Sequence, residues 1–391
     1  MGADVRVVID ARPALDPHRT GIGMYTAAVL RHVPAADPDG RYVAWYLDVR
    51  GTLSNRRWFR GWAPNLSERA TRVPTRVFAP VSVRANLPRL EWLAGRFDLA
   101  LATNFLPPPT GSRGVVLVVH DLAFDHHPET APHHNPRWRH LFDDWLSRAA
   151  GVIVPSAATR EDLLRFHEVD AERVDVVAHG TDAEAFRPAK PGEIDAVRRR
   201  HGIDGRYVLF LGGLEPRKNL EPLVRAFGAM VTDDAWLVIA GGEVRWAPGY
   251  VADVERAIAA LPPARRSRVV RTGYVADVER RALLSGAEIL AYPSRYEGFG
   301  FPVLEAFAAN VPVLTSDVSS LPEVAGDAAI LVDPADASSI AGGLDELLGD
   351  DDLRNVLRAA GTTRVAAFTW ERCARETVAA LRKARDRAAG G

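Results

Sequence analysis

The chain has 391 residues, 47% of them hydrophobic and 25% charged, with a net charge of −1. This length exceeds one ordinary core and predicts two domains. The near-neutral charge gives no electrostatic reason to expect nucleic acid. Cys373 is the single cysteine, which excludes a disulfide framework and a thiolate metal cluster.

In chain order, short Val/Ile/Leu runs recur, each followed by a helix-like segment. The first half carries VRVVID (5–10), YVAWYLD (42–48), DLALAT (98–103), VVLVVHD (115–121), VIVPSA (152–157) and VDVVAH (174–179). The second carries YVLFLGG (207–213), WLVIAGG (236–242), RVVRTGYV (268–275), EILAYPS (288–294), VPVLTSD (311–317) and AAILVD (328–333). Continuous rather than alternating apolar runs predict strands buried on both faces, as in parallel sheets, so the class is α/β. Helix signals fit this reading: Ser156 as an N-cap, a helix starting at Asp277 and ending near Gly286, and Asp350, Asp351 and Asp352 as a cap between two late helices. The segment TDAEAFRPAKPGE (181–193) interrupts the pattern with Pro188 and Pro191. The expected division is therefore 1–188, 189–369 and a final helix 370–391, with a ligand cleft between two strand–helix series.

Two regions stand apart. From Arg50 to Arg96 there are ten arginines and two acids, Glu68 and Glu91, interleaved with Trp58, Phe59, Trp62, Phe78 and Trp92. This reads as a solvated loop and helix whose arginines pair with acids such as Asp143 or Asp144, or as contact with an acceptor or, weakly and salt-sensitively, with an anionic membrane surface through Trp58, Trp62 and Trp92. His126, His127, His133 and His134 lie near Asp121, Asp125 and Glu129, but Pro128 and Pro132 make the segment a loop without metal-ligand spacing. It reads as an acceptor-facing loop, and no metal is expected. The opening MGADVRVVIDARPALD enters a strand at once without the regions of a signal peptide. No apolar run reaches the ~20 residues of a membrane span. The expected location is cytoplasmic, at most peripheral on the inner membrane face.

The most informative stretch is SRYEGFGFPVLEA, 294–306. Gly298 and Gly300 fall between the end of one strand and a helix whose first turn holds Pro302, so backbone N–H groups there suit a phosphate or a sugar hydroxyl. Acids beside a phosphate site need another task, and carboxylates accept from sugar hydroxyls. Glu297 and Glu305 could thus hold hydroxyls on either side of a diphosphate, as in a nucleotide-sugar. Taken singly, each reads equally as a helix-terminal or solvated charge.

Glu297 and Glu305, with seven residues between them, resemble the paired-glutamate motif of retaining glycosyltransferases of family 4. FLGGLEPRKNLEPLVRAF and the run from TGYVADVERR to LVDPAD resemble the same family over 207–336, and RTGIGMYT and VVHDLAFDHHPETAP resemble its bacterial mannosyltransferases. The resemblance implies a GT-B fold: two facing Rossmann-like domains with parallel sheets, the first binding the acceptor and the second the nucleotide-sugar, and a C-terminal helix crossing back to the first. It implies ribose binding by Glu305, hexose contact by Glu297, amide contact by Gly298, Phe299 and Gly300, and a base held by Tyr274 and Val275. Lys218 would neutralise the leaving diphosphate. Arg217 beside it would replace an arginine that many members carry where this chain has Gly212 and Gly213. Gly21 and Gly23 would approach the phosphates from the first domain, and His120 matches a functional histidine. The implied reaction is metal-independent hexose transfer with retention, GDP-mannose being the first choice of donor, to a glycan, glycolipid or small-molecule hydroxyl in polysaccharide biosynthesis. No further cofactor is expected. Alternatives of the same architecture are a nucleotide-sugar epimerase and a non-catalytic nucleotide-sugar-binding subunit.

Overall fold

The computed structural model describes residues 5–16, 21–48, 58–73, 78, 87–112, 114–128, 136–244, 247 and 249–390. The chain divides into two compact units, one of 1–122, 134–180 and 370–391, the other of 123–133 and 181–369. The division falls after Gly180, before the prolines at 188 and 191. Residues that follow Gly180 are tied into the second unit: the Thr181 amide donates to the Phe368 carbonyl, and the Ala189 amide donates to Ser285 Oγ.

The first unit is built on seven strands, β1 (Arg6–Asp10), β2 (Arg41–Leu47), β3 (Leu66–Thr71), β4 (Leu99–Ala102), β5 (Val115–Val118), β6 (Gly151–Val154) and β7 (Val174–Val176). They pair in the order β3-β2-β1-β4-β5-β6-β7, all parallel. The interior strands β4, β5 and β6 are buried at every position, which is why they read as unbroken apolar runs. The helix Gly21–Ala36 and the final helix Trp370–Gly390 pack together over this sheet, joining Tyr25, Val29, Leu30 and Val33 to Cys373, Ala374, Val378 and Leu381 in one core.

Part of the arginine-rich stretch is an edge strand rather than a loop or helix. β3 has the sequence LSERAT, and its alternating burial leaves Ser67 and Arg69 outward. Glu68 is tied down by the Phe59 amide at 3.0 Å and the Tyr46 hydroxyl at 3.1 Å. Phe59 and Phe78 are core residues, Phe78 lying against Trp45, so they offer no surface to a membrane. Trp62 packs edge-on against Phe59, whereas Trp92, on the short helix Leu90–Ala94, is 68% exposed. Asp143 pairs with His167 and Asp144 with Arg148, and among the described residues neither pairs with an arginine of this stretch. Arg50, Arg56, Arg57, Arg76 and Arg84 lie outside the described residues. No helix among the described residues is long and apolar enough to cross a membrane.

The second unit holds β8 (Tyr207–Leu211), β9 (Trp236–Ala240), β10 (Val269–Gly273), β11 (Ile289–Tyr292), β12 (Val313–Ser316) and β13 (Ala329–Val332). Their order is β10-β9-β8-β11-β12-β13, again all parallel. Helices Leu220–Ala229 and Ala337–Gly349 cover one face, closing the core around Phe210, Phe227, Ile239 and Leu344. The helix Asp277–Ser285 ends at Gly286, and Asp350 caps the helix Asp351–Val365 by accepting from the Leu353 amide. Ser156 caps its helix in the first unit by accepting from Thr159.

The turn after β11 depends on Gly300. It precedes the helix Phe301–Ala308 with φ of 107°, and a Cβ there would lie 2.8 Å from Leu321 Cδ2. Both strain and overlap oppose any larger residue. Gly300→Ala is expected to lower stability by about 1–3 kcal/mol. Urea denaturation measures this, and a midpoint equal to that of the parent chain would contradict the packing of the turn.

Candidate active site

In the second unit the strand order reverses between β8 and β11: the chain runs outward through β9 on one side and through β12 on the other. Ligands of parallel α/β sheets bind outside the carboxyl ends of strands at such a reversal. The loops leaving β8 and β11 carry Arg217 with Lys218 and Glu297 respectively, so sheet order brings together groups about 80 positions apart in sequence.

Lys218 closes a 3-10 turn, Pro216–Lys218. Its ammonium donates to Glu297 Oε1 and to the Tyr292 hydroxyl. That hydroxyl donates to the same Glu297 oxygen at 2.8 Å. Arg217 donates through Nη1 to Glu297 Oε2 at 3.0 Å and to the Tyr296 carbonyl at 3.2 Å, and its Nη2 meets Glu215 at 2.8 Å. Two cations therefore face two carboxylates in a formally neutral cluster, with Lys218, Glu215 and Glu297 buried and Arg217 half-buried. Burial alone would raise the Glu297 carboxyl, but Lys218 and Arg217 outweigh it and pull it down to about 2. Burial pushes the Tyr292 phenol well above its ordinary range, so it stays a neutral donor.

The glycine turn is packed inward and fixed from the next loop. The Glu297 amide donates to Ser319 Oγ at 3.1 Å, and Ser320 Oγ donates to the Glu297 and Phe299 carbonyls at 2.8 and 3.0 Å. Gly298 and Gly300 are buried, and Phe299 packs on Phe301 and Phe368. One turn into the helix, Glu305 is buried against the guanidinium of Arg280. The residues expected to hold a base lie after β10: Tyr274 is 65% exposed and Val275 is buried. Gly212 stands where its carbonyl would be 1.7 Å from a Cβ on Gly241, a backbone approach that leaves no room for a side chain there.

The expected residues of the first unit form a separate group. Gly21 and Gly23 do open a helix, Gly21–Ala36, with Gly23 buried. The His120 imidazole is buried after β5, with Nε2 2.8 Å from the Thr103 carbonyl and Nδ1 3.4 Å from His179 Nε2. A carbonyl only accepts, so Nε2 of His120 carries the proton, and a neutral His120 accepts at Nδ1 from His179. Burial pushes both imidazoles below their ordinary range. Tyr25 packs on both rings. In the 123–133 segment, which belongs to the second unit, the His126 ring stacks on Tyr296 at 4.5 Å, so it is engaged with the loop of the paired glutamates. Among the described residues no three His, Cys, Asp or Glu side chains gather as a metal cluster; Glu129, His133 and His134 lie outside them.

Sequence reading missed Tyr292, Glu215, Arg280 and His179. Tyr292 and His179 sit at the ends of expected strands, in EILAYPS and VDVVAH, where a polar residue closing an apolar run was the available signal. The partners of Arg280 and Glu215 carried no such signal, because they follow from which strands are neighbours.

Comparison with known proteins identifies the family and the fold. Residues 193–364 match the family described as glycosyl transferases group 1, and residues 66–185 match glycosyltransferase family 4. The O-antigen chain mannosyltransferase B of Escherichia coli is 31% identical over 71% of this chain and 72% of its own length. The chain belongs to the group 1, family 4 glycosyltransferases. Its fold is also that of solved structures: sucrose-phosphate synthase of Thermosynechococcus elongatus superposes with a TM-score of 0.75 at 19% identity, covering 97% of this chain and 98% of the other. HepE of Anabaena, in complex with UDP and glucose, superposes with a TM-score of 0.71 at 17% identity, covering 96% and 98%. The architecture is GT-B.

The buried cluster makes a specific demand. Lys218→Met leaves Glu297 with one cation fewer, and breaking such a pair is expected to cost about 3 kcal/mol or more. Because the Glu297 pKa is depressed, its contribution is complete above the ordinary carboxylate range of about 4.3 and is lost as pH falls through about 2. In Lys218→Met that loss should begin at higher pH. Denaturation at stepwise lower pH tests this, and superimposable pH profiles would contradict it.

Proposed function

We propose that the protein transfers a hexose from a nucleotide-diphosphate sugar to a hydroxyl of a glycan, glycolipid or small-molecule acceptor, with retention of anomeric configuration and without a divalent metal. GDP-mannose is the first candidate donor. The observation that carries this reading is the convergence of Lys218, Arg217 and Glu297 outside the carboxyl ends of β8 and β11, with Glu305 one turn behind the glycine loop. A nucleotide-sugar is favoured by the pairing of acids with a basic doublet and by the UDP and glucose bound to HepE. Mannose is favoured by the name of the Escherichia coli relative.

In this reaction the bond from the anomeric carbon to the diphosphate oxygen breaks, and negative charge collects on the departing diphosphate. Lys218 and Arg217 supply positive charge there, supplemented by the N-terminal end of the Phe301–Ala308 helix. In the unliganded arrangement Glu297 answers both cations; a bound diphosphate takes that part, and the carboxylate turns to hexose hydroxyls. Glu305 accepts from the ribose, and the exposed Tyr274 ring with the buried Val275 offers the surface for the base. Attack by the acceptor hydroxyl on the face that the leaving group occupied retains the configuration, and a departing phosphate oxygen accepts the proton of that hydroxyl. Gly21 and Gly23 keep their proposed role as amide donors toward phosphate. His120, held at both nitrogens, contributes a fixed neutral imidazole rather than a titrating acid or base.

Incubation with UDP-, GDP- and ADP-sugars, with and without lipid and glycan acceptors, tests the reading. Acceptor-dependent release of nucleotide and an α-linked product by NMR are expected. Release without acceptor would instead indicate epimerisation or hydrolysis, and an inverted product would overturn the mechanism. Turnover should persist in chelator; loss restored by magnesium or manganese would contradict metal independence. Glu305→Ala should weaken donor binding by ~1.5–3 kcal/mol, the worth of hydrogen bonds to a charged acceptor, and unchanged calorimetric affinity would remove Glu305 from the ribose site.

A further inference from the structure

Glu305 is only 1% exposed, and its carboxylate is met by the guanidinium of Arg280. Arg280 stands on the helix Asp277–Ser285 and lies over the Phe186 ring, 5.3 Å from its centroid. The aromatic face orients the guanidinium without competing for its hydrogen bonds. A buried carboxyl left without a counter-charge takes up a proton instead of staying ionised. A protonated acid turns one oxygen into a donor and is a poorer acceptor for hydroxyls.

We propose that Arg280 is a positioning residue of the nucleoside site, which holds Glu305 ionised and aimed so that it accepts from ribose hydroxyls and thereby sets a preference for ribo- over 2′-deoxyribonucleoside diphosphates. This rests on the reading of Glu305 as the ribose acceptor. Burial pushes the Glu305 carboxyl above its ordinary range, Arg280 limits that rise, and Asp277 on the helix of Arg280 adds to it. On the other elements packed against the Glu305 helix, the charged and titratable groups are turned elsewhere. Tyr292 of β11 serves Glu297, Arg354 serves Glu288 and Asp351, and Arg364 donates to the carbonyls of Glu323 and Val324. Among the described residues Arg280 is thus the cation paired with Glu305, and its removal takes away that counter-charge.

The test measures calorimetric affinity for UDP and GDP, then compares the tighter of the two with its 2′-deoxy counterpart, in the parent chain, Arg280→Met, Arg280→Lys and Glu305→Gln, from neutral to alkaline pH. The parent should prefer the ribonucleotide. Arg280→Met raises the Glu305 pKa, so below that pKa the acceptor is weakened and above it the carboxylate returns. Its ribonucleotide affinity should fall roughly ten-fold at neutral pH and recover toward the parent's as pH rises. Arg280→Lys should keep the preference, and Glu305→Gln should lose it at every pH. If Glu305→Gln loses the preference while Arg280→Met keeps it with the parent's pH dependence, the role of Arg280 is wrong and that of Glu305 stands. If Arg280→Met weakens both nucleotides equally at every pH, Arg280 is merely structural and the proposal fails. If Glu305→Gln retains the preference, the ribose reading itself fails, and this proposal with it.

Discussion

A buried ammonium and a buried carboxylate must stay together, and much of the second unit is arranged around that requirement. Lys218 and Glu297 are both taken out of water, and neither is tolerable there alone. Their meeting fixes the path of two loops. The first must turn tightly at Pro216–Lys218 after β8, and the second must fold back after β11 so that Glu297 lies under Arg217. Ser319 and Ser320 secure that second loop through its backbone, and Gly300 lets it enter the following helix. Tyr292 completes the cluster as a neutral donor beneath it. A site whose cations are already desolvated and oriented spends little reorganisation when charge develops on a leaving group. In the proposed reaction, that property connects the packing of the loops to departure of the diphosphate.

The first unit meets a similar constraint with neutral groups. His120 and His179 end β5 and β7, flanking β6, and their rings are linked to each other and to the Thr103 carbonyl after β4. Thr103 in turn donates to the Asp10 carbonyl at the end of β1. The carboxyl ends of several strands are thus tied by hydrogen bonds without a net charge. In the second unit the corresponding loops instead bring four charged side chains together, two cations and two carboxylates.

The sheets were legible because their interior strands are buried on both faces and so appear as unbroken apolar runs; all twelve runs are strands, the half-exposed β7, β10 and β13 included. β3 escaped because LSERAT is an edge strand with alternating burial and a charged outer face, so it carries no apolar run. The prolines of 181–193 mark a break in local structure, and the division by contacts falls at the start of that segment, where Thr181 is tied to Phe368. The paired glutamates and the basic doublet were visible as motifs. Their mutual pairing was not, since it depends on β8 and β11 being neighbours, a fact of topology with no local signature. Arg280 was hidden for the same reason: nothing at position 280 names a partner 25 residues on. Among the aromatic residues interleaved with these arginines, burial could not be read locally: Phe59 and Phe78 are core residues, whereas Trp92 is exposed.

The central claim is that Lys218 and Arg217 form the diphosphate-binding element and that Glu297 is their internal counter-anion until donor binds. The most direct measurement is calorimetric affinity for UDP and GDP in the parent chain and in Glu297→Gln, which removes the competing charge with little change in shape. The account predicts that Glu297→Gln binds the nucleoside diphosphate more tightly than the parent while sugar transfer slows. Weaker binding of the nucleoside diphosphate by Glu297→Gln would contradict it.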